Sequence, residues 1–151
     1  MPRIERLIAA AAALLASSPA FGACTASTTA VSFGTYDTLS PANDDSTGSV
    51  SAVCDAGERN LVASINGGSS GSIAARTLRN GPTILNYNLY TTAGRNIVWG
   101  DGITGSTVTL NFVNSAGGVR RYNSTVYGRI PALQPVGAGL YTDTVTVTIT
   151  F

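Results

Sequence analysis

Residues 140–151 alternate more regularly than any other part of the sequence. Val145, Val147, Ile149 and Phe151 are separated from one another by single threonines. A period of two is the pattern of a β-strand that buries one face and leaves the other in water. The segment therefore predicts a long strand, and such a strand needs pairing along its edges because open edges attract other chains. We expect the function of the protein to depend on how this strand is paired.

Shorter alternating runs precede the terminal strand and predict an all-β domain. Clear examples are residues 83–90, 107–113 and 119–127, and turns rich in glycine separate them. After residue 23, only residues 73–79 have the composition of a helical turn. Short strands with frequent turn signals are typical of an antiparallel β-sandwich. We predict a single domain of this type over residues 24–151.

The first 23 residues have the three parts of a secretory signal peptide. Residues 1–6 are charged, residues 7–15 are apolar and rich in alanine, and residues 17–23 are mostly small. The apolar run is shorter than the roughly 20 residues that a membrane-spanning helix needs. We predict that residues 1–23 direct secretion and are removed. An alternative is that Cys24, just after the leader, carries a lipid and makes the chain a lipid-anchored surface protein.

The two cysteines, Cys24 and Cys54, are predicted to form a disulfide. Secretion implies an oxidising compartment, where paired cysteines are normally bonded. Closing a loop of this length stabilises a chain by about 3–4 kcal/mol on entropic grounds. A redox or metal-binding pair is the competing interpretation, but the chain has no C-x-x-C motif and no histidine.

Charge and side-chain chemistry argue against several classes of function. The formal net charge is +1, and without residues 1–23 the acidic and basic groups are equal in number. Such a chain has no electrostatic footprint for nucleic acid. It also lacks histidine and lysine, the side chains most often tuned for acid–base work. We therefore expect no enzymatic activity, no catalytic residues, no cofactor, no metal and no small-molecule substrate.

Three local motifs are interpreted as structural. Residues 100–105 match G-x-G-x-x-G, but no helix follows that would hold a pyrophosphate. Asp37, Asp44 and Asp45 lack the ordered spacing of a calcium loop and are interpreted as turn acids. Several aromatic residues could form either a ligand surface or part of the core, with the core favoured. They are Tyr87, Tyr90, Trp99, Tyr127 and Tyr141.

Cys24 is followed by seven short segments whose sequences and order are informative together. They are residues 31–37, 48–54, 76–81, 85–90, 98–102, 126–131 and 139–145. In this order they resemble the spore coat protein U domain family, which is the pilin fold of archaic chaperone–usher pili. The similarity covers nearly all of the predicted mature chain.

The resemblance implies an immunoglobulin-like sandwich that lacks one strand, with the gap beside the terminal strand. In this family a periplasmic chaperone fills the gap. A strand of a neighbouring subunit then replaces the chaperone at the outer-membrane usher. The chain would pass through the periplasm to a pilus or coat at the cell surface. Carried over to this sequence, the partner-strand groove would be lined by Val31, Phe33, Val145, Val147, Ile149 and Phe151.

The segment before Cys24 bears on the position of the subunit in an assembly. A subunit that donates its own strand needs an extension of roughly a dozen residues to span a neighbour's sheet. The predicted cleavage site leaves only a few residues before Cys24. We therefore expect a terminal subunit, at a tip or as a cap. The alternative from another class is a surface adhesin that binds a receptor or an abiotic surface.

Overall fold

The computed structural model of the protein describes residues 23–55, 57 and 60–151. Almost all of the predicted signal peptide lies outside these residues. The described chain contains nine strands and one short 3₁₀ turn, Gly68–Ser70. Within the same ranges, no helix is long and apolar enough to cross a membrane. The strands are β1 (Cys24–Thr29), β2 (Asp44–Asp55), β3 (Val62–Ile65), β4 (Arg76–Asn80), β5 (Thr83–Tyr90), β6 (Val108–Thr109), β7 (Asn111–Ala116), β8 (Val119–Ile130) and β9 (Val147–Thr150).

The strands form two antiparallel sheets, which confirms the all-β prediction. The larger sheet has the order β1-β2-β8-β5-β4, with β7 also paired to β8. The smaller sheet has the order β6-β3-β9. β1 and β9 therefore each lie at an edge of their sheet.

The centre of the larger sheet is the ladder between β2 and β8. Its register runs without interruption from Asp44↔Ile130 to Asp55↔Val119. The second edge of β8 is shared, because β7 pairs with its first half and β5 with residues 127–129. β8 is thus paired along both edges, and the inward side chains of its second half are buried.

Trp99 joins the two sheets in the core and is only 1% exposed. Its backbone amide donates to the carbonyl of Leu89 on β5 at 2.8 Å. Its indole Nε1 donates to the carbonyl of Ala63 on β3 at 3.0 Å. A buried tryptophan normally finds a partner for its N–H, and here that partner lies in the opposite sheet.

The structure contains the disulfide between Cys24 and Cys54, which face each other in the β1–β2 register. The bond attaches the first residue of β1 covalently to β2. It also uses the Sγ atom that a lipid would occupy on Cys24. The alternative of a lipid-anchored Cys24 is therefore wrong for this fold.

The predicted helical turn over residues 73–79 is also wrong. Arg76–Asn80 is instead the edge strand β4, which forms a hairpin with β5. Gly81, at φ 56°, supplies the left-handed residue that the tight turn requires. Tertiary pairing overrides the local composition here, because the side chain of Arg76 is drawn into the core of the domain.

Candidate functional site

An open groove runs between the N-terminal and C-terminal parts of the described chain. It consists of three adjoining cavities of about 310, 540 and 930 Å³. Thr28, Val50 and Val147 line both the first and the second cavity. Val31, Phe33 and Asp143 are among the residues shared by the second and third. We call these the near, middle and far cavities, beginning from the end at Phe151.

One wall of the groove is the outer edge of the C-terminal segment. The amide of Asn66 donates to the carbonyl of Thr146 at 3.1 Å. Because hydrogen-bonded pairs alternate along an antiparallel ladder, Thr148 and Thr150 also turn their backbone groups toward β3. The residues between them turn theirs away from β3, where no described strand pairs with them. These residues are Val145, Val147 and Ile149.

The opposite wall is the outer edge of β1, which has the same property. The amide of Asp55 donates to the carbonyl of Ala23 at 3.0 Å, so this pair is hydrogen-bonded. By the same alternation, the backbone groups of Cys24, Ala26 and Thr28 point away from β2. The side chains of these three residues line the near cavity. The groove therefore lies between two strand edges whose amides and carbonyls have no partner strand in the described chain.

The floor of the middle cavity is the core itself. Val50, Leu89 and Trp99 are each less than 5% exposed, yet all three line this cavity. These core side chains form the floor of an open groove, from which a further strand would exclude water. Binding of an apolar segment in this groove would be favourable, because it removes apolar surface from water.

Val31 and Phe33 cross the sheet face at two glycines. A Cβ on Gly128 would lie 2.6 Å from Val31 and 2.7 Å from Phe33, and one on Gly48 would lie 2.9 Å from Val31. The missing side chains leave room for this segment to cross the face of the β2–β8 ladder. The first strand ends at Thr29, just before this crossing.

The structure brings the predicted groove residues to this groove but distributes them along it. Val31 and Phe33 line the middle cavity together with Val145 and Val147. Ile149 and Phe151 line the near cavity, where the facing side chains come from β1. The prediction placed Val31 and Phe33 opposite all four C-terminal residues. Their contribution as a partner-strand site stays a prediction.

Asp143 is a groove residue to which the sequence analysis gave no role. It has the same inward parity as Val145 and Val147, and it lines both the middle and far cavities. Its Oδ1 accepts hydrogen bonds from the amides of Ser69 and Thr144 and from the Ser69 hydroxyl. Its Oδ2 accepts one from the Tyr87 hydroxyl at 2.7 Å. The signal in the sequence was a carboxylate at an inward position of an otherwise apolar stripe.

Hydrogen bonding sets the charge state of this cluster. Partial burial alone would raise the pKa of Asp143, but the bonds from Ser69, Tyr87 and the Thr144 amide outweigh burial and hold the pKa below its ordinary value. Burial, and then the hydrogen bond to Asp143, raises the pKa of the Tyr87 phenol. At neutral pH the pair is a carboxylate and a neutral phenol.

Arg76 lies behind this cluster and is fully buried. Its guanidinium donates to the carbonyls of Asn66 and Trp99 and to Oδ1 of Asn88, at 2.7–3.1 Å. Burial lowers the pKa of the guanidinium, which nevertheless stays charged because arginine does not deprotonate in proteins. The guanidinium of Arg76 thus joins β4 and β5 to the loop that follows β3 and to the segment that precedes β6.

The other motifs do not form a site in the described chain. In the loop over residues 100–105, Asp101 accepts hydrogen bonds from the amides of Ile103 and Thr104, which closes a turn. Asp45 pairs with Arg129 at 2.7 Å and with Arg95 at 3.3 Å. No group of acidic, histidine or cysteine side chains that could hold a metal is present among the described residues.

The five aromatic residues interpreted as either core or ligand surface lie in different parts of the domain. Tyr87 and Trp99 are buried. Arg95 stacks over the ring of Tyr127, with 5.7 Å between the guanidinium carbon and the ring centroid. Tyr141 lines the far cavity. These positions do not make one continuous aromatic surface.

Comparisons with known proteins agree with this architecture. A chain of the crystal structure of the CsuC–CsuE chaperone–tip adhesion subunit pre-assembly complex, from the archaic chaperone–usher Csu pili of Acinetobacter baumannii, is similar in fold. The TM-score is 0.58 and the sequence identity 25%, and the similarity covers 87% of this chain and 40% of that chain. The protein thus corresponds to less than half of that chain. No curated protein sequence matches.

The sequence also matches the Spore Coat Protein U domain over residues 10–148. The match begins inside the segment that was predicted as a signal peptide and ends within β9. It includes the floor of the groove and most of its two walls, and it ends before Ile149 and Phe151. With most of its length matched, the chain belongs to the Spore Coat Protein U domain family.

Proposed function

We propose that the protein is a structural subunit of a chaperone–usher pilus or related surface coat, and that its groove receives a β-strand from another chain. Family membership and the similarity to a pilus subunit complex support the first part. The role is structural and not catalytic. The groove supports the second part.

The observation that carries the proposal is the pair of open strand edges above a floor of core side chains. Backbone amides and carbonyls of β1 and of the C-terminal segment face the groove without a partner strand in the described chain. An inserted strand would hydrogen-bond to these groups and place alternate side chains over Trp99 and Leu89. Backbone bonds would give affinity, and the cavities would select the register.

The same geometry identifies the class of partner at each stage of assembly. An edge with unpaired backbone groups and apolar side chains is prone to aggregate unless it is covered. A periplasmic chaperone would cover it first, and a neighbouring subunit would replace the chaperone at the outer-membrane usher. The disulfide fits the oxidising periplasm through which such a subunit passes to the cell surface.

A terminal position in the assembly, at a tip or as a cap, is part of the proposal. The similar structure contains a tip adhesion subunit, which supports this position. Determining the mature N-terminus by mass spectrometry tests it, because a subunit in a shaft would carry a donor strand before Cys24. Finding about ten or more residues before Cys24 in the mature protein would contradict the terminal position.

Adhesion is the second candidate function, and a tip subunit can combine it with assembly. The observation in its favour is Ile103, which is 95% exposed on the loop over residues 100–105. Binding of the strand-complemented domain to glycans and to abiotic surfaces, compared with its Ile103→Ser variant, tests it. Equal binding by both proteins would count against this loop as an adhesive surface.

The test of strand acceptance is periplasmic expression of the chain with and without an archaic chaperone–usher chaperone. We expect aggregation or degradation of the chain alone, and a soluble one-to-one complex when the chaperone is present. A chain that is soluble and monomeric without any partner would overturn the proposal. The matched control is co-expression of the Val147→Asp variant, which places a charge in the groove wall. The chaperone should fail to keep this variant soluble.

A further inference from the structure

Charge is distributed unevenly along the groove. The near cavity is lined by Ala, Ser, Thr and apolar residues together with Cys24. The middle cavity has one charged lining residue, Asp143, and the far cavity has Asp143 and Asp37. No arginine is among the described residues that line the three cavities. The groove is therefore apolar toward Phe151 and acidic toward the far end.

Asp143 is built into this acidic end. Among the described residues, Tyr87 is the one hydrogen-bond donor to Oδ2, whereas Oδ1 accepts three hydrogen bonds. Oδ2 has two lone pairs and uses one of them here, so it can accept a further hydrogen bond. The hydrogen bonds that lower the pKa of Asp143 also keep it ionised at neutral pH. A strand that covers the groove thus meets a fixed negative charge.

The buried cation of the domain does not supply a direct partner for this charge. The hydrogen bonds of Arg76 go to the carbonyls of Asn66, Ile73 and Trp99 and to the Asn88 side chain. Arg76 and Asp143 influence each other electrostatically but do not form an ion pair among the described residues. An unpaired carboxylate becomes costly when an apolar strand excludes water from it.

We propose that the strand bound in this groove carries a lysine or arginine at the position that meets Asp143, next to a run of apolar residues that fills the middle and near cavities. The inference rests on the proposed function. A cation there would form a charge-assisted hydrogen bond to Oδ2, and a carboxylate there would be rejected.

The position of this residue in the bound strand follows from strand geometry. Asp143 and Val145 are successive inward residues, so the groups that face them also lie two residues apart in the bound strand. A slip of one residue would turn the cation out of the groove, and a slip of two would place it against Val145. Asp143 would therefore fix the register of the bound strand and the position in the groove at which that strand ends.

Synthetic peptides test the inference on the full chain, which is supplied as its soluble complex with the chaperone so that each peptide competes for the groove. Each peptide alternates outward threonines with inward valines and isoleucines and carries Lys, Thr or Glu at the last inward position. A mirrored set carries the same residue at the first inward position, so that both strand directions are represented. Trp99 is the only tryptophan and lines the middle cavity, so its fluorescence reports occupancy.

In one of the two sets we expect the Lys peptide to bind roughly tenfold more tightly than the Glu peptide. The difference should shrink with added salt and disappear in the Asp143→Asn variant. The Asp37→Asn variant, which changes an exposed carboxylate of the far cavity, should retain most of it. If Asp143→Asn does not fold, the salt dependence of the Lys-to-Glu ratio in the unaltered chain carries the test.

The outcomes separate this inference from the function on which it rests. Peptides that bind with equal affinity whatever residue they carry would overturn the role of Asp143 and leave strand acceptance in place. If no peptide of either set binds, strand acceptance in this groove fails and the inference fails with it. Tighter binding of the Glu peptide would also overturn the inference.

Discussion

β8 and β9 have similar alternating sequences but very different surroundings. β8 is paired along both edges, and its inward residues Tyr122, Val126 and Ile130 are 5%, 6% and 1% exposed. β9 is paired along one edge only, and its inward residues Val147 and Ile149 are half-buried. The apolar stripe is more regular in β9 than in β8, whose inward face also contains Ser124 and Gly128. The lower burial of β9 therefore does not come from its sequence, and it accompanies an edge with which no described strand pairs.

This difference separates two kinds of information in a strand sequence. Alternation decides which face of a strand turns inward, because successive side chains point to opposite sides. Pairing decides how completely that face is buried, because the neighbouring strand supplies the adjacent side chains. β9 has the pattern of a buried strand and the exposure of an edge strand, which supports the proposal that a partner strand binds there.

The largest expected effect is on partner binding. Val147→Asp puts a charge at an inward position of the groove, and we expect affinity for the chaperone or for a bound strand to fall by more than about 100-fold. Thr148→Asp, at the next and exposed position, should bind normally. Co-purification with the chaperone and peptide titration measure the difference. Retained binding by Val147→Asp would mean that the groove is not where the strand inserts.

Truncating the same side chain in the two strands compares their burial directly. Ile130→Ala removes a fully buried side chain of β8, and we expect a loss of about 3 kcal/mol in the free energy of unfolding. Ile149→Ala in β9 should cost about 1 kcal/mol, because its side chain is half-buried. Urea unfolding of both variants gives the values.

The comparison sharpens when the groove is occupied. With a strand bound, the cost of Ile149→Ala should rise toward that of Ile130→Ala, because the bound strand completes the burial of the side chain. Unfolding measured with and without a saturating peptide tests this expectation. An unchanged cost for Ile149→Ala would show that the bound strand does not cover β9.

A smaller effect is expected at the crossing of residues 31–33 over β8. Gly128→Ala places a methyl group within 2.6 Å of Val31 and 2.7 Å of Phe33, and we expect a loss of about 2 kcal/mol from overpacking. Gly137→Ala is the matched control, since nothing lies within 4 Å of a Cβ at that position. Thermal unfolding of both variants distinguishes them. Equal stability of the two variants would show that residues 31–33 can shift to make room for the methyl group with little loss in the free energy of unfolding.

The smallest effect concerns acid stability. The pKa of Asp143 lies below its ordinary value of 3.8, so the folded state favours the carboxylate. The resulting stabilisation is fully present above the ordinary value and is lost as the pH falls through the lower folded value. We expect Asp143→Asn to be less stable by about 1 kcal/mol at neutral pH, with the difference vanishing in acid. Unfolding midpoints across this range measure it, and a constant difference would contradict the assignment.

Regular local patterns were predicted in part. Of the long strand predicted over residues 140–151, only Val147–Thr150 forms β9, and the strand predicted over residues 107–113 is divided between β6 and β7. Residues 83–90 were predicted as a strand and form β5, because their alternation is strict and the Asn80-Gly81 turn precedes them. The pairing of Cys24 with Cys54 followed from secretion and from the presence of only two cysteines. In each case the information lies within a few residues or in the composition.

Features that depend on distant contacts were not predicted. Residues 96–99 belong to no named strand, and isolated bridges from Val98 to Tyr90 and from Trp99 to Ser106 hold them in place. The sharing of one edge of β8 between β5 and β7 has no local signature. The role of Asp143 depends on Ser69 and Tyr87, which are far from it in sequence. Only the folded chain brings these residues together.

The disulfide has a mechanical consequence. A strand held in the groove would transmit pulling forces from one subunit to the next, and part of that force would reach β1. Hydrogen bonds between strands give way one at a time when a strand is peeled from its end, but together when it is sheared. Because Cys24 is bonded to Cys54, β1 cannot peel away from β2 at that end. In a fibre joined through this groove, the covalent bond between Cys24 and Cys54 would carry the tension at that end of β1.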